Sequence, residues 1–329
     1  MVNLLIITFR RIEETKILFN SIDFSKVDKL FVFSDNSRKN DKESYLQVTL
    51  VREFIRSFTK EIKGVEFFFS EENLGSKKGP LTAIDWFFAN VDKGLILEDD
   101  CIPDKSFLKF VDVNLNVHKK NPHVLLISGF NPLKNNHNQN IINCFYSHYC
   151  PTWGWATWKD RWIDYRKERK RLSKPSFIKK INHKFDSFFE KEYWQEKFIN
   201  VSIQKGEPTA WDFDLFFFSI EKNMQAVIPS VSLIKNIGYK VNSSHTNERA
   251  YKLLNQEINS LNNPQIDSKV IFYNKNWDSN YFLEVFYEGY RYRGFIKKLY
   301  LIYVFSRYYS KGNLYRLTRY INYIFFGIK

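Results

Sequence analysis

Short apolar runs alternate with amphipathic stretches through the first hundred residues. Leu4 to Thr8 is a continuous apolar run closed by the pair Arg10-Arg11, the pattern of a strand covered on both faces. Glu13 to Ile22 then carries Ile17, Leu18 and Ile22 on one side, which predicts a helix. Lys29 to Ser34 is a second apolar run and ends in Asp35-Asn36. The alternation continues with a helix around Leu46 to Lys60, a strand at Val65 to Phe69 and a helix from Leu81 to Phe88. A strand from Lys93 to Leu97 follows and runs directly into Glu98-Asp99-Asp100. Repeated βα units predict an α/β fold with a doubly wound, mostly parallel sheet, whose ligands gather beyond the carboxyl ends of the strands. The polar strand ends near Arg10, Asp35 and Glu98 are therefore expected to meet at one crevice.

Beyond residue 100 the pattern predicts a strand from Val124 to Ser128 and a charged helical region from Arg161 to Lys205. Lys167, Arg169, Lys170 and Arg171 cluster there as a solvated basic face. The intervening segment Cys150-Pro151-Thr152-Trp153-Gly154-Trp155-Ala156-Thr157-Trp158 is dense in aromatics. It reads either as a sugar-facing wall or as ordinary core packing. Trp211-Asp212-Phe213-Asp214 opens a helix through Phe218, and a strand from Ala226 to Ser230 leads to the polar loop Asn236 to His245. Two parts are expected: a main α/β domain over residues 1–250 and a basic, aromatic-rich helical extension over 251–329.

After Glu288 the chain has no acidic residue, while Arg291, Arg293, Lys297, Lys298, Arg307, Lys311, Arg316, Arg319 and Lys329 alternate with Tyr, Phe, Leu and Ile. Such a segment suits the surface of an anionic membrane; the alternative is a helical hairpin packed on the main domain. The whole chain carries a formal charge of +14, from 50 Lys and Arg against 36 Asp and Glu, which favours polyanionic partners. No nucleic-acid-binding module accompanies that charge, so phosphate-bearing ligands and lipid are the expected partners rather than nucleic acid. With 44% hydrophobic residues, 32 Phe and 19 Tyr, disorder is excluded as the dominant state. Three cysteines, Cys101, Cys144 and Cys150, form no paired motif and point to a reducing compartment. The N-terminal apolar run lacks the features of a signal peptide, and no stretch reaches the roughly 18 apolar residues of a membrane span. A cytoplasmic protein, peripheral on the inner face of the cell membrane, is the expectation.

Glu98-Asp99-Asp100 is the strongest local chemical signal. Three acids directly after a buried strand repel one another unless protons or a cation offset their charge. Hard carboxylate oxygens suit Mg²⁺ or Mn²⁺, which would clamp a diphosphate. Asn73-Leu74-Gly75-Ser76-Lys77-Lys78-Gly79 is glycine-rich before a helix but lacks the spacing of a Walker loop.

In their order, these features resemble the GT-A nucleotide-sugar glycosyltransferases. The likeness is strongest to the inverting N-acetylglucosaminyltransferases that begin complex N-glycans and to related bacterial polysaccharide transferases, and it covers about Leu4 to Thr246. The resemblance implies that Arg10 contacts the donor phosphates and Asp35 the uracil. It implies that Asp100 ligates the metal while Glu98 and Asp99 touch donor sugar and ribose. Trp153-Gly154-Trp155 matches a Gly-Trp segment, and Trp211-Asp212 matches the catalytic Trp-Asp pair. Asp212 is then the general base, with Asp214 as its rival. Asn236-Ile237-Gly238 and Ser243-Ser244-His245-Thr246 resemble a loop closing over the donor, with His245 reaching the diphosphate or the metal. Lys77 falls in the donor-contacting loop. Thr8-Phe9-Arg10 departs from the pattern by lacking an acidic residue that eukaryotic relatives carry before the Arg.

The implied activity is inverting transfer from a UDP-sugar, with Mn²⁺ or Mg²⁺, to a saccharide or lipid-linked acceptor in bacterial surface polysaccharide synthesis, such as lipopolysaccharide or capsule. A retaining transferase, a non-catalytic saccharide-binding scaffold and a nucleotidyltransferase remain as alternatives on the same fold.

Overall fold

The computed structural model describes residues 1–133, 143–168, 174–203, 211–238, 258, 260–261 and 272–287. The elements in chain order begin β1 (Val2–Thr8), α1 (Ile12–Ser21), β2 (Val27–Ser34), α2 (Lys42–Phe58), β3 (Val65–Phe69), α3 (Gly75–Asn90) and β4 (Lys93–Glu98). They continue with β5 (Cys101–Pro103), α4 (Phe107–Val117), β6 (Val124–Ser128), β7 (Cys144–Ser147), β8 (Trp155–Trp158), α5 (Lys159–Glu168), α6 (Lys174–Lys184) and α7 (Phe188–Ile203). The last are α8 (Trp211–Glu221), β9 (Gln225–Pro229), β10 (Ile234–Asn236) and α9 (Lys275–Tyr281).

Eight strands form one sheet in the order β3-β2-β1-β4-β8-β6-β9-β7. Strands β3, β2, β1 and β4 are mutually parallel. β8 runs against both β4 and β6, and β7 runs against β9. β5 and β10 pair separately as an antiparallel ribbon. This is the doubly wound, mostly parallel α/β architecture that the alternating pattern predicts.

Period-2 alternation divides the strand residues between the two faces. Leu4, Ile6, Leu30, Val32, Leu95 and Leu97 share one core with Leu18 and Phe19 of α1, Val51 and Ile55 of α2, and Phe107 and Phe110 of α4. On the opposite face the Phe31 ring meets Trp86 and Phe87 of α3, with centroids 5.2 and 5.1 Å apart. α3 lies so close that a Cβ on Gly94 would stand 2.2 Å from the Phe87 ring. Burial on both sides explains why these strands read as unbroken apolar runs.

The β8 part of the aromatic segment is core rather than a sugar-facing wall, and Trp153 is partly buried against it. Trp155 and Trp158 belong to β8 and are 1% and 3% exposed; Trp153 packs edge-on to Phe130 at 4.6 Å. Gly154 between them has φ +60°, and a side chain there would meet Ile234 of β10 at 2.5 Å, so turn geometry and close packing both call for glycine. A second aromatic cluster joins α6, α7 and α8: Phe177 stacks on Phe198 at 3.9 Å and Trp194 meets Phe216 at 4.4 Å. Packing of this kind accounts for much of the chain's aromatic content.

The chain divides into two compact units, Met1–Asn280 and Tyr281–Lys329. The first runs past residue 250, because Tyr273 bridges to Tyr146 of β7 and Trp277 donates its indole N–H to Asn131 at 2.9 Å. In the second, Phe282–Tyr287 form a π-helical stretch. Among the described residues no helix is long and apolar enough to cross a membrane.

Candidate functional site

The sheet register sets the site. Thr8 of β1 pairs with Ser34 of β2, and Ile7 pairs with Glu98 of β4, so the carboxyl ends of these three neighbouring strands lie side by side. That is where an open α/β sheet holds its ligands.

The acidic triplet at the end of β4 is almost shut from water at Asp99 and Asp100, which are 6% and 7% exposed. Asp99 accepts the backbone N–H of Phe9 at 3.1 Å and Nη1 of Arg11 at 3.3 Å. The same Nη1 donates to Oδ2 of Asp100. Oδ1 of Asp100 takes Nδ2 of Asn236 at 3.3 Å and the Cys101 thiol at 3.5 Å. The β5–β10 ribbon fixes this arrangement: the Ile237 N–H donates to the Asp100 carbonyl at 2.9 Å, and the Gly238 N–H donates to Oδ1 of Asn236 at 2.9 Å. A Cβ on Gly238 would fall 2.1 Å from Oδ2 of Asp100 and 3.0 Å from Nη1 of Arg11.

Negative charge here outweighs the one guanidinium. Burial, then the charges of Asp100, Asp99 and Asp212, pushes Glu98 up to about 8. Burial pushes Asp99 up to about 7, although Arg11 opposes the shift. Carboxylates this reluctant to ionise are calling for further positive charge. Among the described residues no three acidic, imidazole or thiol side chains converge as an all-protein metal cage. Asp100, with Asp99 beside it, instead offers the one or two oxygens that a magnesium-type ion takes from protein while it draws other ligands from water and phosphate. The residues fit a divalent ion of that kind.

Asp212 and Asp214 lie in the first turn of α8. Asp212 accepts the Phe213 N–H at 3.0 Å and is raised above the ordinary aspartate value, first by burial. It is near enough to Glu98 for its charge to act there. Asp214 turns instead to Lys77 of α3, 3.9 Å from its Nζ, with both side chains mostly buried. The two aspartates thus part company: one joins the triplet's field and the other an ion pair.

Asp35 follows β2 as expected, but its carboxylate caps α3. Oδ1 accepts the N–H groups of Asn36 at 2.9 Å and Leu74 at 2.8 Å, and Oδ2 accepts those of Gly75 at 2.9 Å and the Asn73 side chain at 3.4 Å. A helix N-terminus favours such an anion. Arg52 braces the neighbouring strand ends by donating to the carbonyls of Ser34, Asp35 and Ser70.

Arg10 is exposed and its guanidinium lies over the Phe9 ring at 5.6 Å. Its neighbour Arg11 is the residue that reaches the triplet. Sequence reasoning missed this because two arginines in succession after a strand give no periodic signal to choose between them. His245 and Ser243-Ser244-Thr246 lie outside the described residues, whereas Asn236-Ile237-Gly238 does border Asp100.

The fold and this crevice define a doubly wound α/β protein with an acid-rich, arginine-braced site at its strand carboxyl ends. No protein-family model matches the chain, and no curated protein matches it. Among solved structures it is similar to 4-diphosphocytidyl-2C-methyl-D-erythritol synthase from Anaerococcus prevotii, with 12% identity and a TM-score of 0.36, over 73% of this chain and 91% of that one. It is also similar to HddC from Yersinia pseudotuberculosis, with 11% identity and a TM-score of 0.27, over 49% of this chain and 78% of that one. Likeness at this level carries no argument about activity.

Proposed function

We propose that this chain is a GT-A glycosyltransferase that moves a sugar from a UDP-sugar to a saccharide or lipid-linked saccharide acceptor, with inversion. One observation supports the reading: Asp212 follows Trp211, whose ring lies 5.7 Å from Trp155 of β8, the strand beside β4, and the charge of Asp212 raises Glu98 although more than a hundred residues separate them. On this reading a metal-binding acid and a general base serve the same substrate.

Asp100, assisted by Asp99, would hold Mn²⁺ or Mg²⁺. When bound, the ion supplies charge neutralisation for the departing diphosphate. Glu98 and Asp99 border the donor sugar and ribose, and Asp35 with the α3 cap forms the uracil end. Arg10, Lys77 and His245 are the further donor contacts that the resemblance implies. Asp212 takes the acceptor hydroxyl proton as that oxygen attacks the anomeric carbon from the face opposite the diphosphate. The bond to the diphosphate oxygen breaks and its electron pair leaves with that oxygen. Burial makes Asp212 a stronger base than a free aspartate. Asp214, paired to Lys77, is less suited to that task. The basic aromatic stretch 291–329 would hold the enzyme on the anionic inner face of the membrane, beside a lipid-linked acceptor.

The test is a thermal-shift screen of UDP-, GDP-, CMP- and dTDP-sugars with Mn²⁺, with Asp100→Ala as control. Stabilisation by a UDP-sugar that the variant loses is the expected result; stabilisation by none of the donors overturns the reading. The anomeric configuration of the product, read by NMR, separates inversion from retention.

A further inference from the structure

Arg11 supplies positive charge to the triplet. It is the residue immediately before α1, its side chain is 45% exposed, and its Nη1 bridges Asp99 and Asp100. The two oxygens of Asp100 are not equivalent. Oδ1 is held from within by Asn236 and the Cys101 thiol, both on the β5–β10 ribbon, while Oδ2 is taken by Arg11.

We infer that Arg11 is the resident counter-charge of Asp100, and that it gives up Oδ2 of Asp100 when a divalent cation arrives and turns to the diphosphate. The inference rests on the proposed function: its first half on the divalent ion at Asp100, its second on the diphosphate. Gly238 leaves little room around Oδ2, since even a Cβ there would sit 2.1 Å from that oxygen and 3.0 Å from Nη1. A metal ion and a guanidinium on one carboxylate oxygen are also like charges at contact distance, so they exclude each other. Arg11 is free to leave because its side chain is half open to solvent and starts from a short junction between β1 and α1. A diphosphate is a better destination than bulk water, because the guanidinium fork matches phosphate oxygens in pairs. Arg11 is on this account a positioning residue: it offsets the charge of Asp99 and Asp100, then becomes a ligand of the donor.

The exchange predicts opposite effects on two ligands. Mn²⁺ alone is titrated by electron paramagnetic resonance into wild type, Arg11→Ala and Arg11→Gln, the last keeping a polar, uncharged side chain should the alanine variant fail to fold. Without the competing guanidinium, Mn²⁺ should bind about tenfold more tightly. UDP, titrated by calorimetry with Mn²⁺ saturating, should bind the same variants about tenfold more weakly, because a charge-assisted contact is lost. An arginine with a purely structural role would not tighten Mn²⁺ binding. Equal or weaker Mn²⁺ affinity in the variants overturns the exchange at Asp100, whatever UDP does. Wild type that binds no UDP overturns the proposed function and the diphosphate half of the inference, while the Mn²⁺ titration still decides the Asp100 half.

Discussion

Gly238→Ala is the substitution for which the structure gives the most definite expectation. The new methyl carbon would stand 2.1 Å from Oδ2 of Asp100 and 2.9 Å from its Cγ, against an ordinary contact of 3.4 Å or more. Something must therefore move by about 1 Å. The Asp100 side chain is short and engaged by Arg11, Asn236 and Cys101, so it cannot swing aside without losing those partners. Gly238 itself is tied back to Asn236 by its N–H. A misplacement of about 1 Å in a binding constellation weakens its function roughly 10²-fold, or about 3 kcal/mol. Gly238 is only half-buried and follows the last residue of β10 by two positions, so the global fold should tolerate the change. Calorimetry of UDP binding with saturating Mn²⁺ is the assay, with circular dichroism to verify the fold. A folded variant that binds UDP as wild type does would refute the assignment of Asp100 to the donor site.

Four further outcomes are expected. Asp212→Asn should slow transfer by about 10²- to 10⁴-fold with donor affinity unchanged, and near-normal turnover would remove Asp212 as the base. Glu98 and Asp99 are held above their unfolded values, up to about 8 and about 7, so the fold favours their protonated forms. Their ionisation makes metal-free stability fall as pH rises from about 4 through about 8. Thermal melts of wild type and Glu98→Gln should diverge over that window, with the variant falling less; parallel curves would contradict the shift. Asp35→Ala strips acceptors from the first N–H groups of α3 and should cost about 1–2 kcal/mol, seen as a lower Tm even without ligand. An unchanged Tm would show that the cap contributes nothing to the fold. Truncation after Tyr290 should release the protein from anionic vesicles, and equal binding by the shortened chain would dismiss the membrane role of the basic tail.

The parallel half of the sheet was legible because β1, β2 and β4 are mostly buried, the edge strand β3 keeps an aromatic run although it is partly exposed, and the helices between them are amphipathic. Leu4 to Thr8, Lys29 to Ser34 and Val65 to Phe69 therefore announce themselves as apolar runs between amphipathic stretches. The reversed strands were not legible. β8 consists of Trp155-Ala156-Thr157-Trp158, four residues whose bulk suggests a binding surface as readily as a core. Only the pairing with β4 and β6 decides for the core. β5 and β10 are three residues each, too short to carry a period, yet this ribbon brings Asn236 to Asp100.

Local patterning also stops short of the chemistry. The acids Glu98, Asp99 and Asp100 were visible because they interrupt an apolar run; their balancing charge was not, because it comes from a residue nearly ninety positions away. Choosing between Arg10 and Arg11 requires knowing how the chain leaves β1. Arg11 immediately precedes α1, and from there its side chain reaches Asp99 and Asp100, while Arg10 lies over Phe9. At Asp35 the place after a strand marked a polar strand end and the resemblance implied a uracil contact; the hydrogen bonds from Leu74 and Gly75 add a helix cap that no local pattern shows. In both cases a residue's place in the chain says only that it follows a strand, and the donors and acceptors that surround it in space say what its charge meets.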